Sequence, residues 1–246
     1  MKKSFFLFLM LFVISCNSDN GLDCFKKQGR QVEKQISTAV FQKIKISLGI
    51  ELLVSQADQY AIRVEYGENF IDNIEFEVVD GELRINNNSN CEMLRNYHPA
   101  KVYVQTPELE KIHSGSQYPV KSSNVLKFPE LMLEAGIIEE GQPVSFFELE
   151  VDNQKIKVND NVSSIYKIKG KTQILDISFW AGAPRLEAGG LLADEVHVYH
   201  RSSNDIIVYP LSLIDGTLAG TGNLVLKNMP ETIAIEQLYT GHIVYP

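Results

Sequence analysis

The sequence has little with which to perform redox, nucleic-acid or membrane-spanning work. Of its 246 residues only three are cysteines, Cys16, Cys24 and Cys91, and no Cys-x-x-Cys pair occurs, so neither thiol exchange nor a cysteine metal site is indicated. Basic residues are in deficit, 23 against 31 acidic ones, for a formal charge of -8, which argues against nucleic acid and against electrostatic adhesion to anionic lipid. Long apolar runs are also missing: the one run present, Phe5 to Ile14, falls short of the roughly 20 residues that cross a bilayer. A single tryptophan argues against a dedicated polysaccharide cleft. After the first 15 residues no helix-period segment exceeds two turns, and this absence makes the fold class all-β.

What is present begins with an address. Lys2 and Lys3, the apolar run, then Ser15 and Cys16 follow the basic, apolar, small order of a secretory signal. Val13-Ile14-Ser15-Cys16 resembles the lipobox of bacterial lipoproteins. That resemblance implies a cleaved leader at residues 1–15 and lipid on Cys16, with several acyl chains each burying methylenes worth on the order of 0.8 kcal/mol. Loss of the leader removes two lysines and no acid, so the mature chain is more acidic still. Asn17 after the anchor fits onward transport to the outer membrane, on either its periplasmic or its surface side. Residues 16–35 are polar and read as a tether. An exported compartment permits a disulfide between Cys24 and Cys91, with two free thiols as the alternative.

From Ile36 to Pro246 the chain reads as a single all-β domain. Phe41 to Leu48 alternates apolar and polar as a half-buried strand does, and Ile50 to Val54 continues past a bend at Gly49. Tyr60 to Tyr66, Ile74 to Val79, Glu82 to Ile85 and Lys101 to Gln105 follow, with Asp80-Gly81 as a tight hairpin turn. The second half carries a repeat. Ser203-Asn204-Asp205-Ile206-Ile207-Val208, Thr221-Gly222-Asn223-Leu224-Val225-Leu226 and Thr240-Gly241-His242-Ile243-Val244-Tyr245 share one template, a small polar turn feeding an aliphatic strand. One rung then reads strand, turn, strand, turn. Units this short bury their apolar faces only by stacking, so the pattern predicts a β-solenoid, a parallel β-helix-like stack of short strands into which the strand-rich N-terminal region merges. Gly and Asn suit the corners, where the chain turns sharply and often through positive φ.

Phe41-x-x-Ile44-x-Ile46, Glu51 to Gln56, Asp80-Gly81-Glu82-Leu83-x-Ile85 and Val102-Tyr103-Val104-x-x-Pro107-Glu108-Leu109, followed by Leu218-Ala219-Gly220-Thr221-Gly222-Asn223-Leu224, resemble the putative auto-transporter adhesin head GIN domain family of Bacteroidetes lipoproteins. The resemblance covers about Val40 to Pro246 and implies parallel stacking and an exported location. It brings no catalytic residues. Phe128 to Asn159 departs from the family pattern, which predicts an irregular rung or a loop there.

Chemistry-bearing residues are sparse. His197 and His200, three apart on a strand, point to opposite faces and cannot chelate one ion without a bend, which favours surface or corner histidines. Ser202, His200 and Asp205 lack the sharp nucleophile turn of a hydrolase. Asn159-Asp160-Asn161 and Asp152-Asn153 lack the spacing of a calcium loop and read as turns. No catalytic, cofactor or metal residue is assigned. Trp180, Tyr199, Tyr209 and Tyr245 fall on successive rungs and form a candidate binding face, against the alternative of core or edge packing. The leading expectation is a non-enzymatic envelope module for adhesion or for binding a carbohydrate or protein partner. A glycan-active β-helix enzyme and a structural or regulatory envelope component are the alternatives.

Overall fold

The computed structural model describes residues 27–89, 98–136 and 144–246; the leader, Cys16, Cys24, Cys91 and most of the tether lie outside the described residues. Alternating sequence yields ten short strands: β1 (Gln31–Ile36), β2 (Lys43–Ile46), β3 (Ile50–Gln56), β4 (Ala61–Gly67), β5 (Ile74–Val79), β6 (Glu82–Asn87), β7 (Ala100–Thr106), β8 (Lys111–Ser114), β9 (Pro119–Ser122) and β10 (Glu130–Ala135). Four long ones follow, β11 (Phe146–Asp160), β12 (Ile165–Phe179), β13 (Arg185–His200) and β14 (Ile206–Leu218). The series ends with β15 (Leu224–Leu226), β16 (Thr232–Gln237) and β17 (Ile243–Val244). Among the described residues there is no α-helix, only a 3-10 turn at Ile71–Asn73.

The strands build a β-solenoid, two sheets facing one core. Sheet A runs β5, β6, β2, β8, β10, then the C-terminal halves of β11 to β14, then β16. Sheet B runs β1, β4, β7, β3, β9, then the N-terminal halves of β11 to β14, then β15 and β17. From β2 onward the sheet A pairings are parallel, as stacked rungs require. Inward positions repeat from rung to rung: Ile156, Leu175, Val196 and Ile214 align in sheet A and are fully buried. Each such side chain contributes about 1.5–3 kcal/mol by leaving water. Near the corner the filling turns aromatic, with Phe147 stacked on Tyr166 at 4.7 Å and Tyr166 on Phe179 at 6.1 Å.

Three sequence expectations are corrected. The sheet begins at Gln31, inside the segment read as tether, because Gln31 to Ile36 pairs antiparallel with Gly67 to Ile62. Of the stretch 128–159, expected to hold an irregular rung or a loop, residues 137–143 lie outside the described residues, and the described part holds no irregular rung: β10 and β11 are regular strands in full register with their neighbours. The rung has one true corner rather than two turns, since β11 to β14 pass from sheet B to sheet A as continuous strands of 13 to 16 residues.

Corner Gly182 has the positive φ its type implies, but two other corner glycines serve a different purpose. Gly222 and Gly241 do not have positive φ. A Cβ on Gly222 would strike the Asn204 carbonyl of the preceding rung, and one on Gly241 the Gly222 carbonyl. Close stacking of corners selects glycine there. Polar corner residues tie the rungs together: the Asn223 N–H donates to Asp205 Oδ1 at 3.1 Å and the His242 N–H to Asn223 Oδ1 at 3.3 Å.

Candidate functional site

Parallel register places one residue of every rung in a common row on the outer face of sheet A. Next to the corner edge that row reads Lys45, His113, Glu134, Asn159, Ser178, Tyr199, Thr217 and Glu236. Trp180, one residue beyond β12, is held by its N–H donating to the Asp160 carbonyl at 2.9 Å. Its ring lies 4.8 Å from that of Tyr199, at an interplanar angle of 40°, and its indole N–H donates to Asn159 Oδ1 at 2.7 Å. Small Ser178 occupies the row position between Asn159 and Tyr199, which leaves room for an indole to lean over it. Trp180 is nevertheless 47% exposed. The indole is thus oriented by a hydrogen bond at its polar edge and half open to solvent on its apolar body.

The row continues into a buried polar cluster. The Asn159 side-chain amide donates to Glu134 Oε1 at 3.3 Å, and Glu134 Oε2 accepts from His113 Nδ1 at 3.2 Å and from the Lys111 ammonium. Glu134 and His113 are both buried. The His113 hydrogen bond, joined by that of Lys111 and against the opposing effect of burial, holds the Glu134 carboxyl down at about 2. An ionised Glu134 accepts only, so His113 donates to it through Nδ1, while the buried Nε2 has no hydrogen-bond partner among the described residues. From Glu134 to Tyr199 the strip spans three rungs, about 14 Å at about 4.8 Å per strand.

Beside it, the next outward row includes Lys157, Asp176, His197 and Asp215. His197 Nδ1 lies 2.7 Å from Asp215 Oδ1, and Nε2 lies 3.5 Å from Glu195 Oε2. Acceptors thus flank the aromatic pair. A groove of about 530 Å³ opens at the opposite edge of sheet A, with Pro107, Leu109, Leu131 and Met132 in its lining and Lys43 and Lys111 beside them. Lys111 links this groove to Glu134.

The four aromatic residues singled out in the sequence do not form one face. Trp180 and Tyr199 meet, whereas Tyr209 aligns with Leu192 in the sheet B half of β14 and Tyr245 follows the last strand. His197 and His200 do point to opposite faces, but His200 is not on the surface: it is buried in the core beside the corner. Its Nδ1 lies 3.2 Å from Ser202 Oγ, yet both residues are buried, and burial pushes the imidazole down to about 4. That Ser–His pair is therefore sealed from any substrate. Asp160 is likewise internal, accepting from the Tyr166 hydroxyl at 2.8 Å and from the Val162 N–H at 2.6 Å, and burial raises its carboxyl. Among the described residues no group of three or more His, Cys, Asp or Glu side chains could hold a metal ion. Asp152, Asn153, Asn159 and Asp160, read as turn residues, instead lie within β11. Glu134, His113 and Lys111 escaped the sequence reading because the spacing from Glu134 to Asn159, 25 residues, departs from the offset of 18 and 19 that marks the later corners.

A β-solenoid with a hydrogen-bonded aromatic platform on one outer face is the class of molecule these features define. The chain belongs to the putative auto-transporter adhesin, head GIN domain family, whose model matches residues 40–230. Among solved structures it is similar to a putative adhesin from Bacteroides fragilis NCTC 9343, at 20% identity and a TM-score of 0.74, over 88% of this chain and 97% of that one. It is also similar to a putative adhesin from Parabacteroides merdae ATCC 43184, at 16% identity and a TM-score of 0.63, over 89% and 97% of the two chains. A third similar structure is that of a putative lipid binding protein from Parabacteroides distasonis ATCC 8503, at 19% identity and a TM-score of 0.63, over 88% and 97%. At these identities the likeness establishes the fold. No curated protein matches the chain. Among the described residues no helix is long and apolar enough to cross a membrane.

Proposed function

We propose that this chain is a non-enzymatic envelope module, held to the outer membrane by lipid on Cys16, that binds carbohydrate on the outer face of sheet A. The observation that carries the reading is the Trp180–Tyr199 pair, with the indole locked to Asn159 yet 47% exposed. A pyranose presents C–H groups to an aromatic face and hydroxyls to flanking acceptors, here Asn159, Asp176 and Asp215. Family membership among adhesin heads fits such a role. The two carboxyls with shifted acidity fit binding better than catalysis: Glu134 stays ionised and paired, and Asp160 is sealed in the core. A surface glycan is the partner this chemistry favours over an envelope protein.

The test is a glycan array probed with the mature chain and with Trp180→Ala, backed by circular dichroism of both. Binding of a glycan class by the parent and its loss in the variant support the reading; an intact parent that binds no glycan sinks it. The anchor is tested separately: Cys16→Ala should abolish incorporation of labelled palmitate and release the protein from membranes.

A further inference from the structure

The two ends of the solenoid are finished differently. At the N-terminal end sheet A stops at β5 and sheet B at β1, both antiparallel to their neighbours. Those edges carry Glu75 and Glu77 on β5 and Glu33 and Lys34 on β1, the charged edges by which sheets avoid pairing with other chains. At the other end β16 pairs with β14, and among the described residues nothing pairs with its far edge. Its inward residues Ile233 and Ile235, with Ile243 of β17, face the core but are only partly covered. Leu238, Tyr239 and Tyr245, which follow these strands, are 60%, 63% and 53% exposed.

We infer that the free edge of β16 pairs with the same edge of a second copy of this chain, antiparallel, about a two-fold axis through Ala234. The hydrogen-bond phase of the strand sets the register. The Leu238 N–H donates back to the Leu218 carbonyl at 2.8 Å, so the even-numbered residues of β16 turn toward β14. Ile233, Ile235 and Gln237 then turn their N–H and C=O groups to the free edge. With Ala234 on the axis, Ile233 of one copy lies opposite Ile235 of the other, and the pair exchanges two hydrogen bonds on each side of the axis. Both isoleucines stay on the inner face, so the two cores become continuous. On the outer face Thr232 lies opposite Glu236 and Ala234 opposite itself, so no like charges meet. Moving the axis to Ile235 would set Ile233 against Gln237, an apolar side chain against an amide. The charged N-terminal edges offer no matching surface, so the pairing closes as a dimer and does not propagate as a fibre.

In such a pair the two N-terminal ends lie farthest apart. Each copy adds ten strands of sheet A, about 43 Å at about 4.8 Å per spacing. Two copies anchored in facing membranes would thereby be joined tip to tip; this consequence rests on the lipid anchor proposed above, whereas the pairing itself does not. An edge this short buries less than the roughly 1,000 Å² of a stable interface and holds weakly. Covalent trapping is therefore the readout.

Ala234 opposite itself is a non-hydrogen-bonded antiparallel pair, with Cα atoms about 4.5 Å apart, inside the range a disulfide spans. The experiment uses the mature chain carrying Cys16→Ser, alone and with Ala234→Cys, Glu236→Cys or Ala234→Lys, under mild oxidation and in sedimentation. Ala234→Cys is expected to give a reducible dimer at least tenfold more abundant than either Glu236→Cys or the parent gives. Ala234→Lys, exposed and outside the core, should leave the melting temperature unchanged and remove the concentration dependence of sedimentation expected of the parent. Equal cross-linking of Ala234→Cys and Glu236→Cys overturns the pairing, as does a parent that sediments as a monomer at every concentration. Adding Trp180→Ala to Ala234→Cys should not alter the cross-link, so failure of glycan binding and failure of pairing are read separately.

Discussion

The N-terminal part of the solenoid, through β9, and the stack from β11 onward solve the same packing problem by different means. In the first, rungs are interrupted by antiparallel strands, the inward residues are largely aliphatic, such as Ile44, Leu52, Leu83 and Val102, and the rim is stitched by exposed ion pairs such as Arg63–Glu33 and Lys34–Asp72. In the second, the long strands stack parallel on one another, with register shifts only near the bend from sheet B to sheet A, and the corner column fills with Phe147, Tyr166, Phe179 and His200. Regular stacking brings backbone against backbone at every corner, so tolerance to substitution should fall from the first region to the second.

Two glycines with the same dihedral break this comparison most sharply. Gly81 and Gly182 both have φ of +73, but a Cβ on Gly81 meets nothing within 4 Å, whereas one on Gly182 strikes the Val162 carbonyl of the rung before it. Gly81→Ala should cost only the left-handed penalty, about 1 kcal/mol, and Gly182→Ala about 4 kcal/mol, because strain and a backbone clash add. Urea titration of both variants measures the difference. Equal losses would mean that the dihedral alone matters and that corner stacking does not.

Next in size is a pH effect confined to the second region. His200 is held down at about 4 by burial, against an ordinary value of 6.5. Below pH 6.5 the unfolded chain takes up this proton before the folded one, so stability is complete above 6.5 and declines as pH falls toward 4. The loss is on the order of 3 kcal/mol, at about 1.4 kcal/mol per pKa unit. His200→Leu should flatten that slope. Glu134 acts in a lower window: its carboxyl sits at about 2 against 4.5, so its contribution is present above 4.5 and is lost between 4.5 and 2. Glu134→Gln leaves Lys111 without its charge partner and the buried His113 without its carboxylate acceptor, and should cost about 2–3 kcal/mol at pH 7, read by chemical denaturation. The smallest effect belongs to the first region. Lys34→Ala, at an exposed ion pair 2.8 Å long, should change stability by less than about 1 kcal/mol.

Much of this architecture was legible in the chain. The strand at Ile74 to Val79, the Asp80-Gly81 turn with both residues at positive φ, and the corner template before Ile206, Leu224 and Ile243 all follow from period-two alternation and turn chemistry. The second bend of each rung was not legible. β14 runs unbroken from sheet B to sheet A through buried Pro210, β12 through Gly170 at φ +112 and β13 through Gly189 and Gly190, so no single residue type recurs in every rung to mark the place. The candidate site was half legible. Trp180 and Tyr199 stand out by type, but Tyr209 and Tyr245 share that type without sharing the face, and only register separates them. Glu134 and His113 look like ordinary outward residues of alternating strands, and nothing local announces that they are buried and paired.

The central claim, that the outer face of sheet A binds carbohydrate at Trp180, has a built-in reporter, since Trp180 is the only tryptophan in the chain. Titrating the mature protein with the glycans that an array selects, while following indole fluorescence, tests it directly. A saturable spectral shift is expected, weakened at least tenfold in affinity by Tyr199→Ala and by Asn159→Ala. Glycan binding that leaves the indole spectrum unmoved, or that survives both substitutions undiminished, would contradict the account.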